Sequence, residues 1–400
     1  MLNHKLIEAE YPFLGDIIYV DGCQIGLPPQ RTQTLSQSFM EEYTRRILRD
    51  GDAGFGDSRR KARTLLAELI GGRPEEIIFT KNTTEGTAIL ATGYPLGPGD
   101  NVVTCDLEHA SNLHPWINAS RNRGFELRIV KTANGCATAE DIINHMDQNT
   151  RVVTISVVQA GTGYYADLET LSKACHERGA ILVVDAIQAV GRLAIDVRKQ
   201  GIDYLACGGY KGLLSGFGVG FAWCAEELIC QIDPVYAGAF STTTFAVPPE
   251  VVTDEAAITL RNDSARLESG TYNSFGISMM ASSVSLLLEL GMNEIDRHVR
   301  DLEQQLRNLL KRSDFVLVTP ENPARQGGMV VAYYPREYFE QVEAALVSKN
   351  IRLTHRPGYL RLVLSFHNTK AQVETIAAAI CGVAMKTQTV DLSEGIKHVD

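Results

Sequence analysis

Seven short apolar segments, separated by helical patterns, constrain the fold of this chain more than any other feature. Each is a near-continuous run of Val, Ile and Leu, which is typical of strands covered on both faces. The segments between them, such as 59–72 and 167–179, end in glycine as helices often do. This βαβα order predicts a mostly parallel seven-stranded sheet flanked by helices. The predicted strands are 76–80, 101–105, 126–130, 151–158, 180–185, 203–207 and 219–223.

The pattern changes after about residue 256, where long helical patterns at 275–290 and 293–313 are followed by short strands and a last helix from about 369. We therefore expect a large α/β domain over residues 15–255. A smaller α+β domain is expected over residues 256–400, together with residues 1–14.

Two further segments are predicted to lack regular structure. Residues 236–250 are rich in small residues and proline, which indicates a loop over the surface or over a site. Residues 387–400 are polar and are expected to be frayed.

The chain of 400 residues carries a net charge of −10, which argues against nucleic-acid or anionic-membrane partners. No apolar run approaches the roughly 20 residues of a membrane span, and the first residues do not have the pattern of a signal peptide. The eight cysteines include no C-x-x-C pair and no clustered Cys/His ligands. We therefore expect a cytoplasmic protein with reduced thiols and no metal site.

Asp185 and Lys211 are charged residues in unusually apolar surroundings. Asp185 closes the predicted strand 180–185, and Lys211 lies in the glycine-rich segment "CGGYKGLLSG". Ligands of open α/β sheets bind at the carboxyl ends of the strands. A helix-capping acid and a solvated loop lysine explain each residue separately, but the pair points to two charges placed on one ligand.

Other polar residues follow predicted strands. Thr83, Thr84 and Gly86 open a helical pattern, which is either a phosphate-binding helix N-terminus or a simple helix cap. His109 follows the strand 101–105, and Gln188 lies three residues beyond Asp185. Both can face the same space as the charged pair.

The ordered set of segments resembles a known enzyme family. The segments "TTEG", "EHASN", "DAIQAVG", "GYKG", "RLESGT" and "LRLVLSFHNT" span nearly the whole chain. They resemble the fold-type I enzymes that depend on pyridoxal 5′-phosphate (PLP), specifically the class V aminotransferase and cysteine desulfurase-like family.

The resemblance implies PLP as the cofactor and gives roles to the residues around it. Lys211 would form the Schiff base and act on the substrate α-proton. Asp185 would keep the pyridine nitrogen protonated, and Gln188 would hydrogen-bond the ring hydroxyl. His109 would stack on the ring, and Thr83, Thr84 and Gly86 would form the phosphate site.

The family also implies substrate and subunit contacts. Arg361 would bind the substrate α-carboxylate, and an arginine suits this task because it binds a carboxylate bidentately. Thr271 would reach the phosphate held by the other subunit, so we expect a homodimer with shared active sites.

The sequence also departs from the family. Desulfurases carry a reactive cysteine before the substrate arginine, but residues 350–369 contain none, and Cys381 falls in the last helical pattern. Tyr210 stands where desulfurases have histidine, and its hydroxyl is a candidate phosphate ligand because Gly208 replaces a common serine. A persulfide-forming desulfurase is therefore not expected.

The segment "SVVQAGTGYYADLETL" resembles the subgroup of isopenicillin N epimerase-like and C–S lyase-like enzymes. Gln159 would then lie near the cofactor or the substrate carboxylate, although Tyr165 replaces an arginine common in that subgroup. Gln24 lies in a stretch that either lines the substrate mouth or forms a structural turn. Arg356 is either a second carboxylate ligand or an exposed loop arginine.

We expect an enzyme that deprotonates an α-amino acid at Cα through a quinonoid intermediate, with β-elimination of a C–S lyase type as the leading reaction. Epimerisation or transamination, and replacement or annulation in a biosynthetic pathway, use the same first step. A protein of this fold that binds PLP without catalysis is the alternative of another class.

Overall fold

The computed structural model describes residues 2–50, 55–132, 135–243 and 259–385. Its strands are β1 (Ile18–Tyr19), β2 (Ile77–Thr80), β3 (Asn101–Cys105), β4 (Glu126–Val130), β5 (Thr150–Ser156), β6 (Ile181–Asp185), β7 (Tyr204–Gly208), β8 (Gly220–Cys224), β9 (Val316–Leu317), β10 (Met329–Tyr333), β11 (Ile351–Arg352) and β12 (Tyr359–Val363).

The large sheet has seven strands in the order β2-β8-β7-β6-β5-β3-β4. Strand β8 runs antiparallel to both of its neighbours, and the other neighbouring pairs are parallel. Strands β3, β6, β7 and β8 are buried at every residue, and β5 at every residue except Arg151, as their continuous apolar runs predict. The predicted seven-stranded, mostly parallel sheet is confirmed, and the predicted strand 151–158 ends two residues earlier, at Ser156.

The described helices are α1 (His4–Glu10), α2 (Gln30–Asp50), α3 (Phe55–Ile70), α4 (Thr83–Gly93), α5 (Ala110–Arg123), α6 (Ala139–Ile143), α7 (Leu168–His176), α8 (Glu226–Ile229), α9 (Ser274–Leu290), α10 (Met292–Leu310), α11 (Phe339–Val347) and α12 (Lys370–Cys381). No single helix of the described chain is long and apolar enough to cross a membrane. Only α9 and α10 taken together reach that length and composition, and they are bent by 77°.

A second hydrophobic core lies around two small sheets. Strands β12, β10 and β9 form an antiparallel sheet, and β1 pairs with β11. This core joins Leu302 of α10 to Ile376 of α12, and it also includes Ile18 and Val20. Residues Leu2, Ile7 and Tyr11 belong to the larger core instead. The division into domains 15–255 and 256–400 stays a prediction, since the boundary falls in 244–258, outside the described residues.

The two predicted irregular segments are only partly described. Residues 236–243 form turns, while 244–250 lie outside the described residues, as does the whole of 387–400.

Close backbone contacts hold the loops at the carboxyl edge of the large sheet. Gly191, in the segment after β6, has a φ of +85°, and a Cβ atom there would overlap the carbonyl oxygen of Gly212. A Cβ at Gly212 would in turn overlap the carbonyl oxygen of Val190. The segments after β6 and β7 therefore touch through bare backbone, next to Lys211.

We predict that Gly191→Ala lowers the free energy of unfolding by roughly 3 kcal/mol or more, because it adds a backbone clash to a left-handed conformation. The matched control is Gly179→Ala. Gly179 also has a positive φ, +71°, but its Cβ would meet nothing within 4 Å. The control is expected to cost about 1 kcal/mol in urea unfolding. Equal losses for the two variants would show that the close contact is not rigid.

Candidate active site

Asp185 ends β6 in the interior of the large sheet. It lies in register between Ser156 of β5 and Ala206 of β7, and only 3% of its surface is exposed. Its Oδ1 accepts a hydrogen bond of 2.9 Å from the backbone N–H of Ile187. Burial raises the pKa of this carboxyl to about 7, with a smaller rise from Glu108. Asp185 therefore carries a proton-binding site near neutral pH.

Lys211 follows β7 and is buried, with 7% of its surface exposed. Burial lowers the pKa of its ammonium group, and the Asp185 carboxylate opposes that shift. The lysine backbone is covered by the N-terminal segment, because a Cβ at Gly26 would overlap the Lys211 carbonyl oxygen. Gly26 N–H also donates a 2.8 Å hydrogen bond to the carbonyl of Tyr210. The structure thus brings Asp185 and Lys211 together in one buried space.

His109 caps α5 at the same edge of the sheet. Its Nδ1 accepts a 3.1 Å hydrogen bond from the backbone N–H of Ser111, so this nitrogen carries no proton. Partial burial of the ring lowers its pKa, and the charges of Lys211 and Arg361 lower it further. His109 therefore presents a neutral ring beside these two cations.

Two buried glutamines leave amide oxygens without partners. The Oε1 atoms of Gln188 and Gln159 have no hydrogen-bond partner among the described residues. Gln188 Nε2 donates to the carbonyl of Cys23 at 3.4 Å, and Gln159 Nε2 donates to the Cys105 thiol at 3.5 Å. These two oxygens are therefore available to accept a hydrogen bond from a bound polar group.

The predicted phosphate site divides into an exposed and a buried part. Thr84 lies exposed in the first turn of α4, whereas Thr83 is buried and its Oγ1 accepts from the N–H of Gly208 at 3.0 Å. Gly86 faces the sheet, because a Cβ there would come within 3.0 Å of Ala206. In this arrangement Thr83 ties α4 to β7, and Thr84 is the threonine free to face a ligand.

The Tyr210 ring occupies the space beside Gly208. A Cβ at Gly208 would lie 2.9 Å from Ile187 Cδ1 and 3.3 Å from Tyr210 Cε1. A serine at 208 would therefore crowd the tyrosine. The half-buried ring packs on Phe217, with 5.2 Å between centroids, and its centroid is 5.6 Å from Lys211 Nζ. Tyr210 thus lies within the same space as the lysine.

Arg361 reaches the site from β12 of the small sheet. Its Nη1 donates a 2.9 Å hydrogen bond to the carbonyl of Ala160, and its Nε is buried without a partner among the described residues. Three other predicted residues, Gln24, Arg356 and Thr271, are exposed. The structure therefore places Arg361 beside the buried cluster, and it leaves the other three exposed at the protein surface.

Three further buried residues lie at the site, and sequence reasoning missed two of them, Arg192 and Glu108. Cys23 is 1% exposed and lies within hydrogen-bonding reach of Arg361. Arg192 donates to the carbonyls of Gln188 and Leu364, and so joins the turn after β6 to the end of β12. Glu108 lies beside His109 in "CDLEHASN". The available signal was Arg192, a charge inside the apolar segment "AIQAVGRLAI".

The matching family model is the aminotransferase class-V family, over residues 28–376. The chain belongs to this family and is a PLP-dependent enzyme of the cysteine desulfurase-like kind.

Two curated relatives are described as probable cysteine desulfurases. The protein of Methanothermobacter thermautotrophicus is 28% identical over 77% of this chain and 76% of its own length. The protein of Pyrococcus abyssi is 26% identical over 94% of this chain and 96% of its own.

Two solved structures share the fold. An apo cysteine desulfurase from Thermococcus onnurineus superposes with a TM-score of 0.83 and 24% sequence identity. The match covers 96% of this chain and 99% of the desulfurase chain. A cystine C–S lyase in complex with cysteine persulfide has a TM-score of 0.81 and 18% identity, over 93% and 99%. The predicted fold class is thereby confirmed.

The residues present fit PLP, which carries a pyridine nitrogen, a ring hydroxyl, an aldehyde and a phosphate. Asp185 offers a buried carboxylate, Gln188 an unpaired amide oxygen and Lys211 a buried amine. The N-terminus of α4 offers N–H groups and the hydroxyl of Thr84. These groups match the polar groups of one cofactor.

We predict a pH-dependent stability difference between the cofactor-free protein and its Asp185→Asn variant. The folded pKa of Asp185 is raised from 3.8 to about 7, so its contribution to stability is full below pH 3.8 and is lost as pH rises through 7. The variant lacks this loss. It should gain stability relative to the parent between pH 4 and 7, measured by urea unfolding. A difference that is constant over this range would contradict the raised pKa.

Proposed function

We propose that this protein is a PLP-dependent lyase that deprotonates an α-amino acid at Cα and eliminates a sulfur leaving group from Cβ. The observation that carries this proposal is the burial of Lys211 with Asp185 at the carboxyl edge of the sheet. PLP, when bound, supplies the electron sink that stabilises negative charge at Cα.

The residues of the chain would divide the work between them. Lys211 would hold the cofactor aldehyde and then take the α-proton, a task suited to an amine whose pKa burial has lowered. Asp185 would hold a proton on the pyridine nitrogen, and its raised pKa favours sharing that proton. The neutral ring of His109 would cover one face of the cofactor.

The remaining roles concern the ends of the bound molecules. Thr84 and Tyr210 would contact the phosphate, with Thr83 holding α4 in place. Arg361 would bind the substrate carboxylate. Gln188 would hydrogen-bond the ring hydroxyl, since its amide oxygen lacks another partner in the described chain.

Two features favour a C–S lyase over a desulfurase that forms a persulfide on the enzyme. Residues 353–358, which join β11 to β12, contain no cysteine. Cys381 ends α12, and its thiol lies 3.8 Å from the carbonyl of Leu309 in α10. Epimerisation, transamination and replacement share the proton removal by Lys211, so products must distinguish them. Retention of the buried lysine and acid weighs against a binding protein without catalysis.

We predict that the PLP-loaded protein in D₂O converts at least one of cysteine, cystine or a cysteine conjugate to pyruvate with release of sulfide, a thiol or a persulfide. Proton NMR would follow the products, and Lys211→Ala should abolish them. Alanine, aspartate and methionine-type amino acids complete the panel. Exchange of the α-proton with the carbon skeleton intact in every case would overturn the lyase proposal in favour of an epimerase or aminotransferase.

Arg361→Ala is predicted to lower kcat/KM by roughly 10- to 100-fold, because a charged hydrogen-bonded pair with the substrate carboxylate is lost. The effect should appear mainly in KM. Arg352→Ala, at an exposed arginine of β11, is the control and should change neither constant. Unchanged kinetics in Arg361→Ala would remove Arg361 from the substrate site.

We also propose a homodimer with shared active sites, in the cytoplasm. Large apolar side chains are exposed on α2 and at the start of α9, namely Met40, Leu48 and Phe275. Thr271, just before α9, is exposed as well. The eight cysteines are all free thiols in the structure, which suits a reducing compartment.

Sedimentation velocity of the PLP-loaded protein is expected to give a dimer at micromolar concentration. Replacing Met40 and Leu48 by Lys should shift it towards the monomer, because charges would then have to be buried in the interface. A parent protein that sediments as a monomer would contradict the shared site.

A further inference from the structure

A buried polar network lies next to Asp185, and the proposed chemistry does not use it. At its centre is Glu108, which is 8% exposed. Its carboxylate accepts hydrogen bonds from the Ser156 N–H at 2.8 Å, the Ser156 hydroxyl at 2.6 Å and Asn112 Nδ2 at 2.7 Å. The Cys105 thiol lies 3.7 Å from the same carboxylate. These donors suit the ionised form of Glu108.

The network joins three elements of the large sheet. Glu108 follows β3, Asn112 lies in α5, and Ser156 ends β5. Asn112 Oδ1 also accepts from the hydroxyl of Thr154 at 3.0 Å. A buried carboxylate of this kind is costly unless it is fully hydrogen-bonded, and an apolar side chain would pack there more simply. The presence of a carboxylate at this position therefore indicates that it has a role in the site.

Two connections lead from Glu108 into the site. Ser156, which donates to Glu108 twice, is the register partner of Asp185 across strands β5 and β6. His109 is the next residue in the chain, and Asn112 holds the first turn of α5 that His109 caps. The Glu108 carboxylate therefore contacts β5 at Ser156, the neighbour of Asp185, and it fixes the backbone that carries the His109 ring.

We propose that Glu108 is a positioning residue that strengthens the hold of Asp185 on the proton of the cofactor nitrogen, through charge, and that fixes His109 over the ring, through Asn112. The inference rests on the proposed function, since it needs PLP at Asp185. Nearby like charges raise proton affinity, and the effect is large in a buried site.

Other titratable groups also lie around the two carboxyls. Lys211 opposes the proton affinity of Asp185, and Cys207 and Tyr210 also lie within its electrostatic reach. Cys105 faces Glu108. Burial raises the pKa of Glu108 itself, and the donors from Asn112 and Ser156 lower it. The donated hydrogen bonds favour the ionised form of Glu108 and oppose the effect of burial.

The experiment compares the parent protein with Glu108→Gln, both loaded with PLP labelled with ¹⁵N in the ring. The ¹⁵N chemical shift reports directly whether the ring nitrogen is protonated. The nitrogen in Glu108→Gln should lose its proton at a pH lower by roughly one unit, because a buried negative charge has been removed. The same ¹⁵N titration curve for the two proteins from pH 5 to 10 would overturn the proposal.

The matched control is Glu76→Gln. Glu76 is also buried, at 1% exposed, and accepts hydrogen bonds from Arg73 N–H and Trp223 Nε1, but it lies before β2. This variant should lose thermal stability without moving the ¹⁵N titration. If Glu76→Gln shifts the nitrogen as much as Glu108→Gln does, the effect is a general loss of structure and the proposal fails.

A double variant, Glu108→Gln/Asn112→Asp, returns a carboxylate to the network at the position of the Asn112 amide, which contacts Glu108. It should restore at least half of the lost shift, and no recovery would count against the role of charge. If the proposed function fails, the result differs from failure of this inference, because the parent protein itself would bind no labelled PLP through Lys211. A parent that binds PLP while Glu108→Gln titrates unchanged removes this inference alone.

Discussion

Two opposite charges, on Asp185 and Lys211, are buried at the carboxyl edge of the large sheet, and the rest of the site is arranged around them. A buried charge is costly, and the opposite group repays only part of that cost. The result is visible in both pKa values, since that of Asp185 rises to about 7 and that of Lys211 falls. The burial that destabilises the fold also lowers the pKa of the Lys211 amine, which suits it to accept a proton. It raises the pKa of the Asp185 carboxyl, which suits that group to share a proton.

The backbone around this pair is fixed by contacts that exclude side chains. Gly26 packs on the Lys211 carbonyl, and Gly191 packs on Gly212. Arg192 donates one hydrogen bond to the carbonyl of Gln188, in the turn after β6, and another to the carbonyl of Leu364, one residue after β12. It thereby joins these two segments. Arg361, on β12, is thereby held at a constant position relative to the lysine. A substrate carboxylate and its α-carbon can then be placed by two different sheets.

The sheet was predictable from the sequence because its strands are buried on both faces and read as continuous apolar runs. Asp185 was visible because it closes such a run, and Lys211 because it is a lone charge in a glycine-rich segment. Predicted ends were less accurate, since residues 157 and 158 are as apolar as the strand before them, yet Val158 pairs with Tyr165 and not with β6. Hydrogen bonding, which the pattern does not contain, decides where the strand stops.

The environment of the site was less predictable, because it depends on contacts between residues far apart in the chain. Glu108 meets Ser156 and Cys23 meets Arg361 only after the sheets have formed. The two threonines of α4 illustrate the same limit. Thr83 and Thr84 are equivalent in sequence, yet one is buried against Gly208 and the other is exposed. Helix phase against the sheet, rather than residue type, separates their roles.

The central claim, that Lys211 is the residue that holds PLP, is tested most directly by loading the protein with PLP, reducing it with borohydride and mapping the labelled peptide by mass spectrometry. The account predicts one pyridoxyl group per chain, on Lys211 in the segment "CGGYKGLLSG", and none after Lys211→Ala. Label on another lysine, or persistent stoichiometric label in the variant, would contradict it.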